Sequence, residues 1–437
     1  MLNKKNYLWA SGIAIIILLF LLFIYLRSPL NSGESITRVY FADNISETQK
    51  KLIEKFNKRY AGLIEIVPID LPFSKFSTNE RKEILARSLR TNSEMIDIFT
   101  VDVIWVPRFA KWAENLQPYF NEEELREYLP KALGSCQYKG DLVASPFYID
   151  VGLMYYRKDI ISQLPNSEEI IQKLKKSVTW EEMLQLADQL PQYRSSFYLY
   201  PAKSFEGLVC AFMDLLNPAK HSITQGDSVN LVFPEAIRAL TFLTDLVQKY
   251  RLTPRVVLNY DEFQCYLYSL KSDAVFMRGW PGFGRQHRYL VADTTKIDMF
   301  DVAALPHFSG ETPSPVIGGW NLMVAKSSRK KWAAVKFLKF ILEEENQKMI
   351  YETGGFIPVN LKVYRDTEFL GRYREVEYLR KLVEQGVHRP YSENYTRISD
   401  IIATYAHRAI KGELSPRAAL YQATREINHK YIIQTQR

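Results

Sequence analysis

Polar and apolar residues change rhythm several times along this chain, and each change marks an element. From Tyr7 to Leu26 no side chain is charged, and from Ile13 onward nearly all are large and apolar. Twenty residues rising about 1.5 Å each span roughly 30 Å, the thickness of a hydrocarbon core, so the run predicts a transmembrane helix. A cleaved export signal has a shorter apolar region, about 7–15 residues, followed by a small-x-small site. Here the run ends in Ile24-Tyr25-Leu26-Arg27. An uncleaved anchor is therefore expected, with a cleaved signal as the alternative. A lipidated leader would need a Cys directly after the run, and the first is Cys136. Lys4 and Lys5 precede the run and Arg27 stands alone after it. This bias puts residues 1–6 in the cytoplasm and the long C-terminal part outside. Residues 27–35, RSPLNSGES, read as a polar linker.

Beyond the linker the rhythm alternates. ITRVYFA (36–42) reads as a strand, and SETQKKLIEKFNKRY as a helix with Ser46 as N-cap and Leu52, Ile53 and Phe56 on one face. LIEIVPID is a second strand, RKEILARSLR a helix, and MIDIFTVDVIW a β-branched buried strand. Strand-helix alternation of this kind predicts a parallel sheet covered by helices, an α/β fold. After Tyr148 come VGLMYYR (strand) and TWEEMLQLADQL, a helix with Thr179 and Glu182 in a capping box. DAVFMRG, DVAALP and GGWNLMVA read as strands, and SRKKWAAVKFLKFILEEENQKMIYETGG as one long helix. The C-terminal part reads as two helices, with Gly412 as a C-cap and Ser415-Pro416 opening the second.

Composition narrows the picture modestly. The net charge of +8 comes from basic residues interleaved with acidic ones, as in Glu80-Arg81-Lys82-Glu83. That is the pattern of solvated helix faces and excludes a nucleic-acid stripe. Tyr outnumbers Phe, 27 to 24, and Tyr pairs a flat apolar face with a hydroxyl, which suits polar ligands such as sugars as well as ordinary cores. Cys136, Cys210 and Cys265 have no metal spacing, and two of them could pair in an oxidising compartment. No metal or cofactor is expected.

Catalytic patterns are missing: there is no G-x-S-x-G, H-E-x-x-H, P-loop or paired C-x-x-C, and the six His are scattered. The glycines of GWPGFG, from Gly279, lack the order of a phosphate loop and read as a turn at a cleft. Asp102, Asp150 and Glu206 could imitate a glycosidase pair, but carboxylates accepting from ligand hydroxyls need no tuned separation. Several polar and aromatic residues fall where ligands of open α/β sheets gather, outside the carboxyl ends of strands. Asp102 ends a predicted strand, with Trp105 just beyond it. Pro146 and Asp150 flank a predicted crossing, Tyr155 and Tyr156 end a strand, Glu206 opens a helix, and Gly318 and Gly319 precede Trp320, where they let a backbone pass close to an indole ring.

The ordered set DVIW, ASPFYIDVGLMYYRKDI, TWEEML, FEGL, AVFMRGWP, VAALP, GGWNLMVAKSS, FLKFILEEENQ and GGFIPV resembles the bacterial extracellular solute-binding proteins of family 1, most of all the trehalose/maltose-type sugar-binding components of ABC transporters. The resemblance runs from about Ile36 to the C-terminal helices. It implies a two-lobed periplasmic-binding-protein (Venus-flytrap) fold with a multi-strand hinge. Lobe 1 would hold 36–149 and 319–353, and lobe 2 would hold 150–318 and 354–437. Residue by residue it implies ligand-binding roles for Asp102, Asp150, Glu206, Arg278, Trp280, Gly318, Gly319 and Trp320, beside Trp105 and Tyr155 from the strand-end reading. It also implies a di- or oligosaccharide ligand, no catalysis, and ABC permease subunits as partners. A sensory component signalling to a membrane histidine kinase is the alternative. The chain departs from the family pattern where Gly282-Phe283-Gly284-Arg285-Gln286 follows Trp280.

Overall fold

A computed structural model describes residues 36–435 except 73–74, 76–77, 92–94, 217–219, 226–227 and 289–293. The apolar run 7–26 and its linker lie outside the described residues. Among those described, no helix is long and apolar enough to cross a membrane.

The elements that frame the site run in this order: β1 (Thr37–Asp43), α1 (Glu47–Arg59), β2 (Ile64–Asp70), α2 (Thr78–Arg90), β3 (Ile98–Asp102), β4 (Ser145–Val151), β5 (Leu153–Arg157), β6 (Tyr198–Leu199), α3 (Glu206–Leu216), β7 (Phe276–Gly279), β8 (Phe300–Ala303), β9 (Ile317–Val324), α4 (Lys331–Leu342), α5 (Glu344–Gly354), α6 (Tyr395–Lys411) and α7 (Pro416–Thr435). Two sheets result. The first has the order β2-β1-β3-β9-β4 and the second β8-β5-β7-β6. In the first, β1 pairs parallel with β2 and β3, while β9 runs antiparallel between β3 and β4. The chain leaves the first sheet for the second at Gly152, between Val151 and Leu153, and returns to it in β9. At this crossing Gly152 N donates to Val316 O at 2.9 Å, and Val316 bridges to Val387. Three segments distant in sequence thus meet where the sheets join.

Local signals explain most elements. The Ser46 hydroxyl accepts from Thr48 N at 3.2 Å, and Leu52, Ile53 and Phe56 are buried on α1 as their spacing requires. Thr179 and Glu182 form a complete capping box. Gly412 ends α6 in the left-handed region, and Ser415 caps α7 by accepting from Ala418 N. Phe41, Phe56, Phe337 and Phe340 make an edge-to-face aromatic core between β1, α1 and α4.

Two sequence expectations need correction. The expected long helix is two helices, because Glu343 adopts an extended backbone (φ −58°, ψ 143°) between α4 and α5. The break lets the Asn346 side chain, buried in the first turn of α5, donate to Phe340 O and hold the bend. Within the run 95–105 the strand is Ile98–Asp102, ending at Asp102 as expected, and Val103–Trp105 form a 3-10 turn capped by the Asp102 side chain. DVAALP is strand only to Ala303. The three cysteines are buried and unbonded.

Candidate functional site

The carboxyl ends of β1 and β3, the crossing at β4 and the N-terminus of α3 face one another, and carboxylates occupy each position. Asp102 ends β3 and lies opposite Trp320 in the antiparallel β3–β9 pair, while Asp150 lies opposite Gly318 in the β4–β9 pair. Glu206 opens α3, where the helix dipole favours an acid.

Arg389 joins two of these acids. Its Nη2 donates to Asp102 Oδ1 at 3.1 Å and its Nη1 to Glu206 Oε1 at 2.6 Å, with the side chain only 2 % exposed. Glu206 also accepts from Tyr395 Oη at 2.9 Å and from the Ser399 hydroxyl. Burial pushes the Glu206 carboxyl up from its usual range, and the Arg389 guanidinium pulls against that shift. A fork of donors set between two carboxylates is a task for guanidinium, which stays charged and planar.

Asp150 is treated differently. Its Oδ1 is shut off from solvent and reaches no protein donor, and burial together with the neighbouring Asp102 charge lifts its pKa to about 8. At neutral pH this carboxyl carries its proton and presents a hydroxyl rather than a charge.

The indoles divide into two layers. Trp280 and Trp320 are half-buried, while Trp105 is 2 % exposed and meets Trp320 edge-on at 5.6 Å. Trp105 thus sets the Trp320 ring from behind. Arg278 is 1 % exposed; its Nε donates to Asp214 Oδ2 at 3.0 Å and its guanidinium lies 4.1 Å from the Trp280 ring. Tyr155 is buried, with its hydroxyl donating to Trp280 O at 2.7 Å. Trp105, Arg278 and Tyr155, expected beside a ligand, stand behind the two half-buried indoles and hold them. The other expected residues converge: Asp102, Asp150, Glu206, Trp280, Gly318, Gly319 and Trp320 surround one region. The glycines matter for shape. A Cβ on Gly318 would lie 2.9 Å from the Trp280 ring, and one on Gly319 would lie 2.6 Å from Tyr148 O.

Sequence reasoning missed four groups. Arg389, Tyr395 and Ser399 lie at the far end of the chain, and no local pattern marks them. Asp43, however, ends β1 as Asp102 ends β3, so the same strand-end rule finds it. Its buried carboxylate accepts from Asn44 N, Gln49 Nε2, Thr100 Oγ1 and Arg81 Nη2. Arg81, from α2, then lies 4.8 Å from the Trp320 ring.

A second close contact, between the segment after β7 and the end of α5, involves the departure after Trp280. Gly282 and Gly355 both have left-handed φ values, +90° and +68°, and a Cβ on Gly355 would lie 2.4 Å from Gly282 Cα. Beside them Gln286 Nε2 donates to Gly354 O at 3.0 Å, and Arg285 donates to Tyr351 O and to Glu375 Oε1, both at 3.0 Å.

The profile of the bacterial extracellular solute-binding proteins matches residues 51–373. The chain belongs to that family. Solute-binding proteins of this family carry the two-lobed α/β architecture described above. The maltose-bound MalE3 protein of T. maritima superimposes with a TM-score of 0.79 at 27% identity, covering 90% of this chain and 99% of that one. The GacH receptor of Streptomyces glaucescens, solved unliganded and with acarbose, gives 0.75 at 20% identity, covering 90% and 98%. A probable ABC transporter-binding protein of Deinococcus radiodurans is 20% identical over 409 residues, 89% of this chain and 92% of that protein.

Proposed function

We propose that this solute-binding protein is the extracytoplasmic receptor of an ABC importer for a di- or oligosaccharide, which it binds without turnover. The observation that carries the reading is the grouping of Asp102, Asp150 and Glu206, the first and last held together by the buried Arg389, with the half-buried rings of Trp280 and Trp320 at the strand ends. The Asp102 and Glu206 carboxylates accept charge-assisted bonds from ligand hydroxyls, the protonated Asp150 offers a neutral polar partner, and the indoles cover the apolar C–H face of a pyranose. The maltose and acarbose complexes among the similar structures support a saccharide.

The lobes in this reading are 36–149 with 319–353 and 150–318 with 354–437, and the crossings at Gly152, Val316 and Val387 are the hinge. Ligand held by groups from both lobes makes its full set of contacts only when they close, so binding drives closure. Residues 7–26 hold the receptor at the membrane, with the N-terminus inside and the body outside.

The deciding experiment is a thermal-shift screen of the purified protein against mono-, di- and oligosaccharides. A ligand that binds only the folded state raises the midpoint, by mass action. A flat response across the panel overturns the sugar assignment, and chromatographic loss of the bound sugar over time overturns binding without turnover.

A further inference from the structure

Seven large apolar side chains are exposed among the described residues, and four of them, Ile36, Leu63, Met95 and Trp332, gather at one end of the first lobe. The topology requires this. Ile36 and Leu63 immediately precede the parallel strands β1 and β2, and Thr37 N donates to Leu63 O at 3.0 Å. Met95 comes three residues before β3. Trp332 is in the first turn of α4, one turn before Lys336, whose ammonium lies 5.1 Å from the Tyr60 ring beside Leu63. This end is the base of the sheet, opposite the carboxyl ends that carry Asp43 and Asp102. A strand of seven residues puts the two ends about 23 Å apart.

The base is also basic. Its described acids are each matched: Glu65 by Arg38, Asp97 by Lys330, Glu114 by Lys331 and Glu343 by Arg59. Lys58, Arg90, Lys326 and Lys336 come in addition, are exposed, and are in none of the described ion pairs. An exposed Trp amid surplus cations is the composition of a lipid-interface contact. The chain itself supplies the address. Residue 36 opens β1 at this base, and only the nine residues 27–35 separate it from the apolar run ending at Leu26. Nine residues reach about 30 Å at full extension, so an anchored chain cannot carry its base far from the bilayer.

We infer that the base of the first lobe is a docking face for an anionic membrane surface, on which the receptor stands with its ligand site held away from the lipid. The inference rests on the anchored reading of residues 7–26, and each cation at such a surface is worth about a fivefold gain in association.

The test uses the full chain in lipid nanodiscs, either neutral phosphatidylcholine or one-half phosphatidylglycerol, read by hydrogen exchange. Segments 58–63 and 326–336 are expected to exchange about tenfold more slowly in the anionic discs, and the protection disappears in 0.5 M salt, where the Debye length is only about 4–5 Å. Lys326→Glu with Lys336→Glu, and separately Trp332→Ser, abolish the protection while leaving the thermal midpoint in place. Equal exchange in both discs overturns the docking face. Protection in both that grows with protein concentration also overturns it and assigns the face to a second copy. A chain that leaves the discs in alkaline wash refutes the anchor instead. The released protein is then floated with anionic vesicles, where flotation lost on Lys326→Glu/Lys336→Glu supports the face and no flotation overturns it.

Discussion

The ring of Trp280, just beyond β7 of the second sheet, lies against the bare backbone of Gly318 in β9 of the first sheet, at a distance no side chain could share. This contact ties the position of the Trp280 ring to the packing of the two sheets where the chain crosses between them.

Gly318→Ala puts a methyl carbon 2.9 Å from that ring, under any normal contact. Overpacking of this kind costs about 1–3 kcal/mol when neighbours must shift, so ligand affinity falls roughly 5- to 150-fold. Isothermal titration with the sugar found in the screen measures the loss, and small-angle scattering shows a more open average shape.

Arg389→Met leaves Asp102 and Glu206 facing each other without their shared cation. Removing one partner from a buried ionic group costs about 3–5 kcal/mol, and urea unfolding reports the drop. Arg389→Lys restores little, since one ammonium cannot reach two carboxylates as a planar fork does. Glu206→Gln in the Arg389→Met background recovers part of the loss.

Asp150 makes stability depend on pH. Its folded pKa, about 8, is raised above the ordinary carboxyl value. Between about pH 4 and pH 8 the folded state therefore holds a proton that the unfolded chain has released, and stability falls as pH rises through this window. Asp150→Asn removes that slope. The variant's thermal midpoint is expected to exceed the parent's at pH 8 and to match it closely near pH 4.

Arg285→Ala deletes the bonds that tie the segment after Trp280 to Tyr351 at the end of α5 and to Glu375. Both partners are partly exposed, so the ion-pair component is worth no more than about 1 kcal/mol. The expected effect is a modest rise in dissociation rate for ligand with unchanged association, read by stopped-flow tryptophan fluorescence.

How much of this was legible in the sequence follows from the range of each interaction. Ser46, Thr179 with Glu182, and Gly412 act on backbone within four residues, so local pattern finds them. Asp102 and Glu206 were found because strand ends and helix starts are local events with a known place in α/β sheets. The break at Glu343 was hidden because no Gly or Pro marks it and the apolar period runs on through it. Trp105, Arg278 and Tyr155 have the same residue chemistry as the half-buried Trp280 and Trp320 or the site carboxylates; only burial, which depends on the whole fold, sets them apart. Arg389 was invisible because its meaning lies in residues 287 and 183 positions away.

Those two separations also set an order of events. Asp102 and Glu206 emerge from the ribosome, and from any export channel, well before the guanidinium that reconciles them. Until residue 389 has followed, a compact body would have to bring two largely buried carboxylates together with no counter-ion. The site therefore cannot finish assembling on a partly delivered chain. A nascent receptor with its last fifty residues still on the wrong side of the membrane stays slack at its centre, and becomes competent only when delivery is complete.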